Sequence, residues 1–270
     1  MRMLKLACVN LVIFSTAAYG FECPEIAERM SRVDRQQGQV VRAGTGAAFE
    51  QLYRECDAQN TFAGQKLPTF AGKPLRCSTD PNRVRYVLQY PDRTVAFEAK
   101  ASVDADGSAA ACGPQRSATD QCQTWLSYDQ GSTRKYTDAE KVPFVVVPMS
   151  MPSSDISFTK ATGIGKGDLA VVVSGTRCAF GVVGDSGPYF RLGEISVAAH
   201  AELGNPQCAG SEKPCTRLIG GGGGRGIASG VRYLIFPKTR PDPLTAENVV
   251  AESAKAARQR LDRFLETYAK

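Results

Sequence analysis

Two carboxylates stand out by type and spacing. Asp185 lies in Gly184-Asp185-Ser186-Gly187-Pro188, and Glu194 lies in Gly193-Glu194-Ile195-Ser196, nine positions on, across a turn that follows an apolar run. Two carboxylates facing one bond are the minimum equipment for hydrolysing a glycosidic link. The longer Glu194, beside apolar Ile195, is the expected acid because burial raises a carboxyl pKa, and Asp185, among Gly and Ser, is the expected base. The plain alternative is a turn-forming aspartate followed by a glutamate at a helix start, favoured there by the helix dipole.

A second acidic segment, Ala101-Ser102-Val103-Asp104-Ala105-Asp106-Gly107, places Asp104 and Asp106 just before a glycine. Such a loop can ligate calcium, although the rest of an EF-hand pattern is missing. It can equally form a turn, or line a cleft and attract ammonium groups. Trp125, the one tryptophan, and Tyr128 have rings able to stack on sugars, with core packing the competing role for Trp125. His200 is the sole histidine and sits in an apolar helical stretch. Gly-Asp-Ser-Gly-Pro is similar to the serine-nucleophile sequence of chymotrypsin-like proteases, but their upstream His and Asp signatures are absent, the only histidine lying after this serine. With no CxxC pair and one histidine, zinc is not expected. The five glycines from Gly220 to Gly224 lack the Gly-Lys-Ser/Thr ending and following helix of a phosphate-binding P-loop, so they read as a flexible loop.

The elements that must position these residues are mostly strands. Residues 84–90 and 94–98 alternate, while 142–148, 169–174 and 178–183 read as buried strands. Residues 194–203 carry the apolar spacing of a short helix, and 233–237 reads as a final barrel strand. Residues 23–58 read as helical with a break at 43–46, and the tail from Thr245 to Lys270 as a long amphipathic helix with Thr245 as its cap.

The first twenty residues have the layout of an export signal: basic Arg2 and Lys5, an apolar segment from Leu6 to Ala18, and Ala18-Tyr19-Gly20 as cleavage site. Lipidation at Cys8 is not expected, because no apolar segment precedes it, and stable membrane insertion is not expected either. A secreted or periplasmic location follows. Removing Cys8 leaves eight cysteines, which in an exported chain read as up to four disulfides. Short loops favour Cys112–Cys122 and Cys208–Cys215. The formal charge of +6 includes Arg2 and Lys5, and the other basic residues are scattered, which argues against nucleic acid as a partner.

The stretch from Ala179 to Pro188 with Leu192 to Ala199 resembles the catalytic signature of the glycoside hydrolase family 75 chitosanases. Asp104-Ala105-Asp106-Gly107 resembles that family's Asp-x-Asp-Gly segment, residues 136–148 its Asp-Ala-x-x-x-Pro-Tyr-x-x-x-Pro element, and residues 167–173 the strand before its catalytic hairpin. The resemblance covers roughly residues 95–236. It implies a mainly β fold with flanking helices, a disulfide-stapled double-psi-type β-barrel. It further implies endo-cleavage of a β-1,4-linked glucosamine polymer by inversion, with no cofactor. Asp185 and Glu194 are the expected catalytic pair, and Asp104, Asp106 and Tyr128 the expected substrate contacts. The expected organisation is a signal over 1–20, a helical segment over 21–75, the barrel over 76–240 and a C-terminal helix over 241–270. Two alternatives stand beside this: a glycosidase acting on peptidoglycan, whose acidic peptides suit a positive surface, and a non-catalytic carbohydrate-binding or cell-envelope protein on the same barrel.

Overall fold

The computed structural model describes residues 21–270 apart from 115, 117, 131–132 and 221–223; side chains at 129, 130 and 133 are likewise outside it. The expected export signal, with Cys8, and most of the glycine run lie outside the described residues.

Six strands close into a barrel: β1 (Val95–Asp104), β2 (Phe144–Pro148), β3 (Leu169–Ser174), β4 (Arg177–Gly187), β5 (Glu194–Ser196) and β6 (Ile227–Phe236). Their order around the wall is β1-β5-β2-β4-β3-β6, with β6 hydrogen-bonded back to β1. The β1–β5 and β2–β4 pairs are parallel and the rest antiparallel. A short strand, Tyr86–Gln89, pairs with the first half of β1 on the edge that β5 takes farther along.

The strands read as continuous apolar runs because both faces are covered. Val145, Val147, Val172, Ala179, Val183, Phe97 and Tyr233 converge on an interior cluster that also takes in Phe49, Leu52 and Tyr53 of α2 (Phe49–Gln59). Their neighbours Phe144, Val146, Val171, Val182 and Leu234 face outward. That outer face is covered by Ile26 and Met30 of α1 (Cys23–Ser31) and by Leu261, Phe264 and Leu265.

Three expectations change in detail. Residues 194–196 form β5, because their backbones are held between β1 and β2; the helix α3 (Val197–Glu202) starts only after Ser196, whose hydroxyl accepts from Ala199 N–H. The tail helix α4 (Val249–Tyr268) starts after a turn in which the Thr245 hydroxyl accepts from the N–H groups of Glu247 and Asn248. The N-terminal segment is helical over Cys23–Ser31 and Phe49–Gln59 but not continuously between them, where a single 3-10 turn (Arg35–Gln37) and a two-residue strand (Gln39–Val40) widen the break expected at 43–46; two small hairpins follow, Thr61–Phe62 with Gln65–Lys66 and Thr69–Phe70 with Lys73–Pro74.

All eight cysteines of the described residues are paired, including Cys112–Cys122 and Cys208–Cys215 as expected. Cys56–Cys77 ties α2 to the following loop, and Cys23–Cys178 ties α1 to β4 across a separation of 155 residues. Closing a loop that long removes on the order of 5 kcal/mol of unfolded-state entropy. Among the described residues no helix is long and apolar enough to cross a membrane.

Candidate functional site: a carboxylate row across four strands

Ser102 on β1, Glu194 on β5, Val146 on β2 and Asp185 on β4 are successive register partners, forming one row across four adjacent strands. Partners in register share a face of the sheet, and all four line one cleft of about 380 Å³. Glu194 and Asp185 flank β2, so their backbones stand two strand spacings apart, about 9–10 Å.

A bulge puts Asp185 on this face. Val183 points into the barrel, and in a regular strand Asp185 would follow it. The β2–β4 register shifts between Val145 and Val146, skipping Gly184, so Asp185 turns outward. Bulges beside functional sites re-aim side chains in this way. Only glycine fits at the skipped position, since a Cβ on Gly184 would lie 2.4 Å from Phe144 Cγ. The Gly184 carbonyl, released from the ladder, accepts from Leu126 N–H at 2.8 Å.

At one end of the cleft three aspartates meet. Carboxylate oxygens of Asp104, Asp106 and Asp185 lie within 4.8 Å of one another, and these are the groups among the described residues that could hold a metal ion. Burial and then the neighbouring acidic charges push Asp104 well above the usual carboxylate range, and burial pushes Asp106 up to about 8. Asp185 is also raised by burial, but the N–H groups of Ser186 (2.7 Å) and Trp125 (2.8 Å) donate to its Oδ1, and a hydrogen bond with the Asp106 side chain opposes the rise further. Protons are therefore favoured on Asp104 and Asp106, and the hydrogen bond from the Asp106 side chain favours the ionised form of Asp185.

At the other end stands Glu194, pushed up to about 7 by burial against the opposing charges of Lys100 and Arg191. Lys100 is 3% exposed, between Ala99 and Ala101 of β1; its ammonium donates to the Asp80 carboxylate and, at 3.2 Å, to the Asp80 carbonyl. Arg191 also reaches Asp80 Oδ2, at 3.1 Å. Burial lowers Lys100, with Asp80 opposing. Gly187 gives the Glu194 carboxyl its room, as a Cβ there would lie 3.3 Å from Glu194 Oε2.

The cleft's apolar walls include Phe70 and Met149, which are 45% and 51% exposed although large and hydrophobic. Its charged lining is Asp80, Asp104, Asp106, Asp120, Asp185 and Glu194 against Lys100 and Arg191. The cleft is thus acidic in a chain whose formal charge is +6.

Asp104, Asp106, Asp185 and Glu194, proposed from sequence, are brought together here. Tyr128 is not. It is 4% exposed and packed in the outer-face core, and its hydroxyl accepts from Thr137 at 3.1 Å, so its ring has no face free for a sugar. Trp125 contributes its backbone N–H to Asp185 while its half-buried ring packs against the interior cluster. His200 is buried, and burial holds it neutral, lowering its pKa to about 4. Asn205 Nδ2, which can only donate, lies 3.2 Å from its Nδ1, so Nε2 carries the proton and donates to the Ser102 carbonyl at 3.1 Å. The histidine thus steadies the row's β1 end. Sequence reasoning missed Lys100, Arg191, Asp80, Phe70 and Met149. Charged residues at 98 and 100 alternating with Phe97, Ala99 and Ala101 in a strand pattern were the available signal for Lys100; the others have no local pattern.

No protein-family model matches this chain, and no curated protein matches it.

Proposed function

We propose that the chain is a secreted or periplasmic inverting glycosidase that cuts β-1,4-linked glucosamine polymer (chitosan) internally. The observation that carries this reading is the Asp185–Val146–Glu194 row. Inverting enzymes hold their carboxyl groups about 6.5–9.5 Å apart so that a water fits opposite the leaving group, and two carboxylates either side of one strand suit that gap. Protonated Glu194 gives its proton to the glycosidic oxygen as the C1–O bond breaks. Asp185 takes a proton from the water whose oxygen bonds to C1 from the opposite face. The two environments support this division of roles: Glu194 is buried with its pKa pushed up to about 7, whereas at Asp185 three donated hydrogen bonds oppose the rise that burial causes. The exposed Phe70 and Met149 suit the apolar faces of pyranose rings, and the acidic lining suits the ammonium groups of glucosamine. The parallel β1–β5 and β2–β4 pairs within a closed six-stranded barrel support a double-psi arrangement, and four disulfides support an oxidising compartment.

A second reading has one observation in its favour. Lys100 and Arg191 beside Glu194 suit an amino-sugar polymer that bears acidic substituents, as peptidoglycan does.

The test is reducing-end release from partially deacetylated chitosan by the oxidised protein. Glu194→Gln and Asp185→Asn are each expected to lower the rate by about 10²–10⁴-fold with the fold intact. Turnover on peptidoglycan alone selects the second reading. Sugar binding without turnover, unaffected by either substitution, rejects the enzyme in favour of a binding protein.

A further inference from the structure

Away from the cleft, a separate cavity of about 130 Å³ lies where α1 and α4 meet the barrel wall. Its lining includes Arg35, Arg85 and Arg232 together with Glu98 and Tyr90, and shares no residue with the cleft. Three guanidiniums face one carboxylate. Glu98 is matched by Arg85 at 3.3 Å. Arg232 stands opposite Glu98 across the β6–β1 pair but donates to the Ala27 carbonyl, at 3.1 Å, and makes no close ion pair with that carboxylate. Arg35 stacks over the Tyr86 ring at 5.3 Å and has no carboxylate partner among the described residues.

Tyr90 supplies an independent observation. It is 3% exposed, and its buried hydroxyl has no hydrogen-bond partner. Buried hydroxyls are ordinarily satisfied, so an orphan needs an explanation. Its ring is held against Phe264 and Tyr268, at 4.9 and 4.8 Å between centroids, which prevents the hydroxyl from turning to solvent. Burial pushes that hydroxyl up to about 12, with the Asp34 carboxylate adding to the rise and the Arg35 guanidinium opposing it.

We propose that this cavity binds a small oxyanion. The ligand is a phosphate, a sulfate or a carboxylate that accepts from the Arg35 and Arg232 guanidiniums and from the Tyr90 hydroxyl. Guanidinium is the side chain best matched to planar and tetrahedral oxyanions, and the oxyanion supplies the acceptor that Tyr90 lacks. The assignment stands apart from the glycosidase reading.

Calorimetric titration of the intact, oxidised protein with inorganic phosphate, and separately with acetate, at ionic strength fixed with sodium chloride, tests it. Saturable binding of one phosphate per chain is expected. Arg35→Gln, at an exposed position, should weaken it about tenfold, the loss typical of one charge-assisted hydrogen bond. Tyr90→Phe, which removes only the orphan oxygen, should weaken it severalfold while leaving the melting temperature equal or higher. Arg191→Gln, in the cleft, should leave it unchanged. Acetate that competes with phosphate identifies a carboxylate as a natural occupant; phosphate binding alone identifies a tetrahedral oxyanion. Heats that follow ionic strength alone, or binding that survives both Arg35→Gln and Tyr90→Phe, overturn the assignment.

Discussion

Strand β1 serves two sites of opposite character. Its outward residues Ala96 and Glu98 line the arginine cavity, and Lys100, Ser102 and Asp104 line the acidic cleft. Each site buries one charge of the minority sign: Glu98 among three arginines, Lys100 among six acidic groups. The difference lies in what the buried charge does. Glu98 neutralises Arg85 and limits the cavity's pull on anions. Lys100 keeps the Glu194 pKa near neutrality, where burial alone would carry it higher. In the cleft the environment shifts the carboxyl pKa values, whereas in the cavity three guanidiniums gather around one carboxylate.

The largest way to break this comparison is Gly184→Val. The new side chain collides with Phe144, so the bulge that turns Asp185 outward is lost. A stability loss of about 3 kcal/mol is expected from overpacking, read as a lower denaturant midpoint, with glycosidase activity abolished.

Asp106→Ala comes next. It removes the proton donated to Asp185, so the Asp185 pKa rises and the acid limb of the rate profile moves up by about one pH unit. Asp106→Asn keeps a donor and should leave that limb in place. The same residue governs stability. Its folded pKa is raised from 3.8 to about 8 and that of Glu194 from 4.5 to about 7. Their stabilising contribution is full below pH 4 and is lost as pH rises towards 8. Urea midpoints of the wild type should fall over that window, and those of Asp106→Asn should fall less.

A paired experiment sharpens the contrast. Lys100→Met removes a charge that lowers the Glu194 pKa, so the alkaline limb of the rate profile, set near 7 by the acid, should move to higher pH. Glu98→Gln frees Arg85, so phosphate should bind several times more tightly in the cavity, with the rate profile unchanged. If both substitutions shift both readouts, the sites are not independent. The smallest effect is at Phe70: Phe70→Ala should raise KM about threefold to tenfold through the lost ring contact, with kcat preserved.

What the sequence made legible follows from local physics. The run 169–174 is apolar on both faces, and the strand Leu169–Ser174 has the bounds that this run predicts. Asp185 and Glu194 were conspicuous as carboxylates beside apolar segments, and Cys112–Cys122 and Cys208–Cys215 followed from short loops. Features set by tertiary contact were hidden. The bulge at Gly184 depends on the ring of Phe144, forty residues away in sequence. β5 looks helical because Ile195 and Ala199 share helical spacing, and only pairing with β1 and β2 makes residues 194–196 a strand. Two-residue hairpin strands such as Thr69–Phe70 are too short to carry a period, so the exposure of Phe70 had no signal. Tyr128 is buried where a sugar contact was expected, because the exposure of an aromatic is set by tertiary packing and not by its type. The arginine cavity gathers residues 35, 85 and 232, which nothing in sequence connects.

The most direct measurement of the central claim is the anomeric configuration of the first product, followed by proton NMR during chitosan hydrolysis by the oxidised wild-type protein. Two carboxylates on either side of β2 predict that the α-anomer appears first from the β-linked polymer and then mutarotates. The β-anomer appearing first, or no cleavage at all, would contradict the assignment of Glu194 as acid and Asp185 as base.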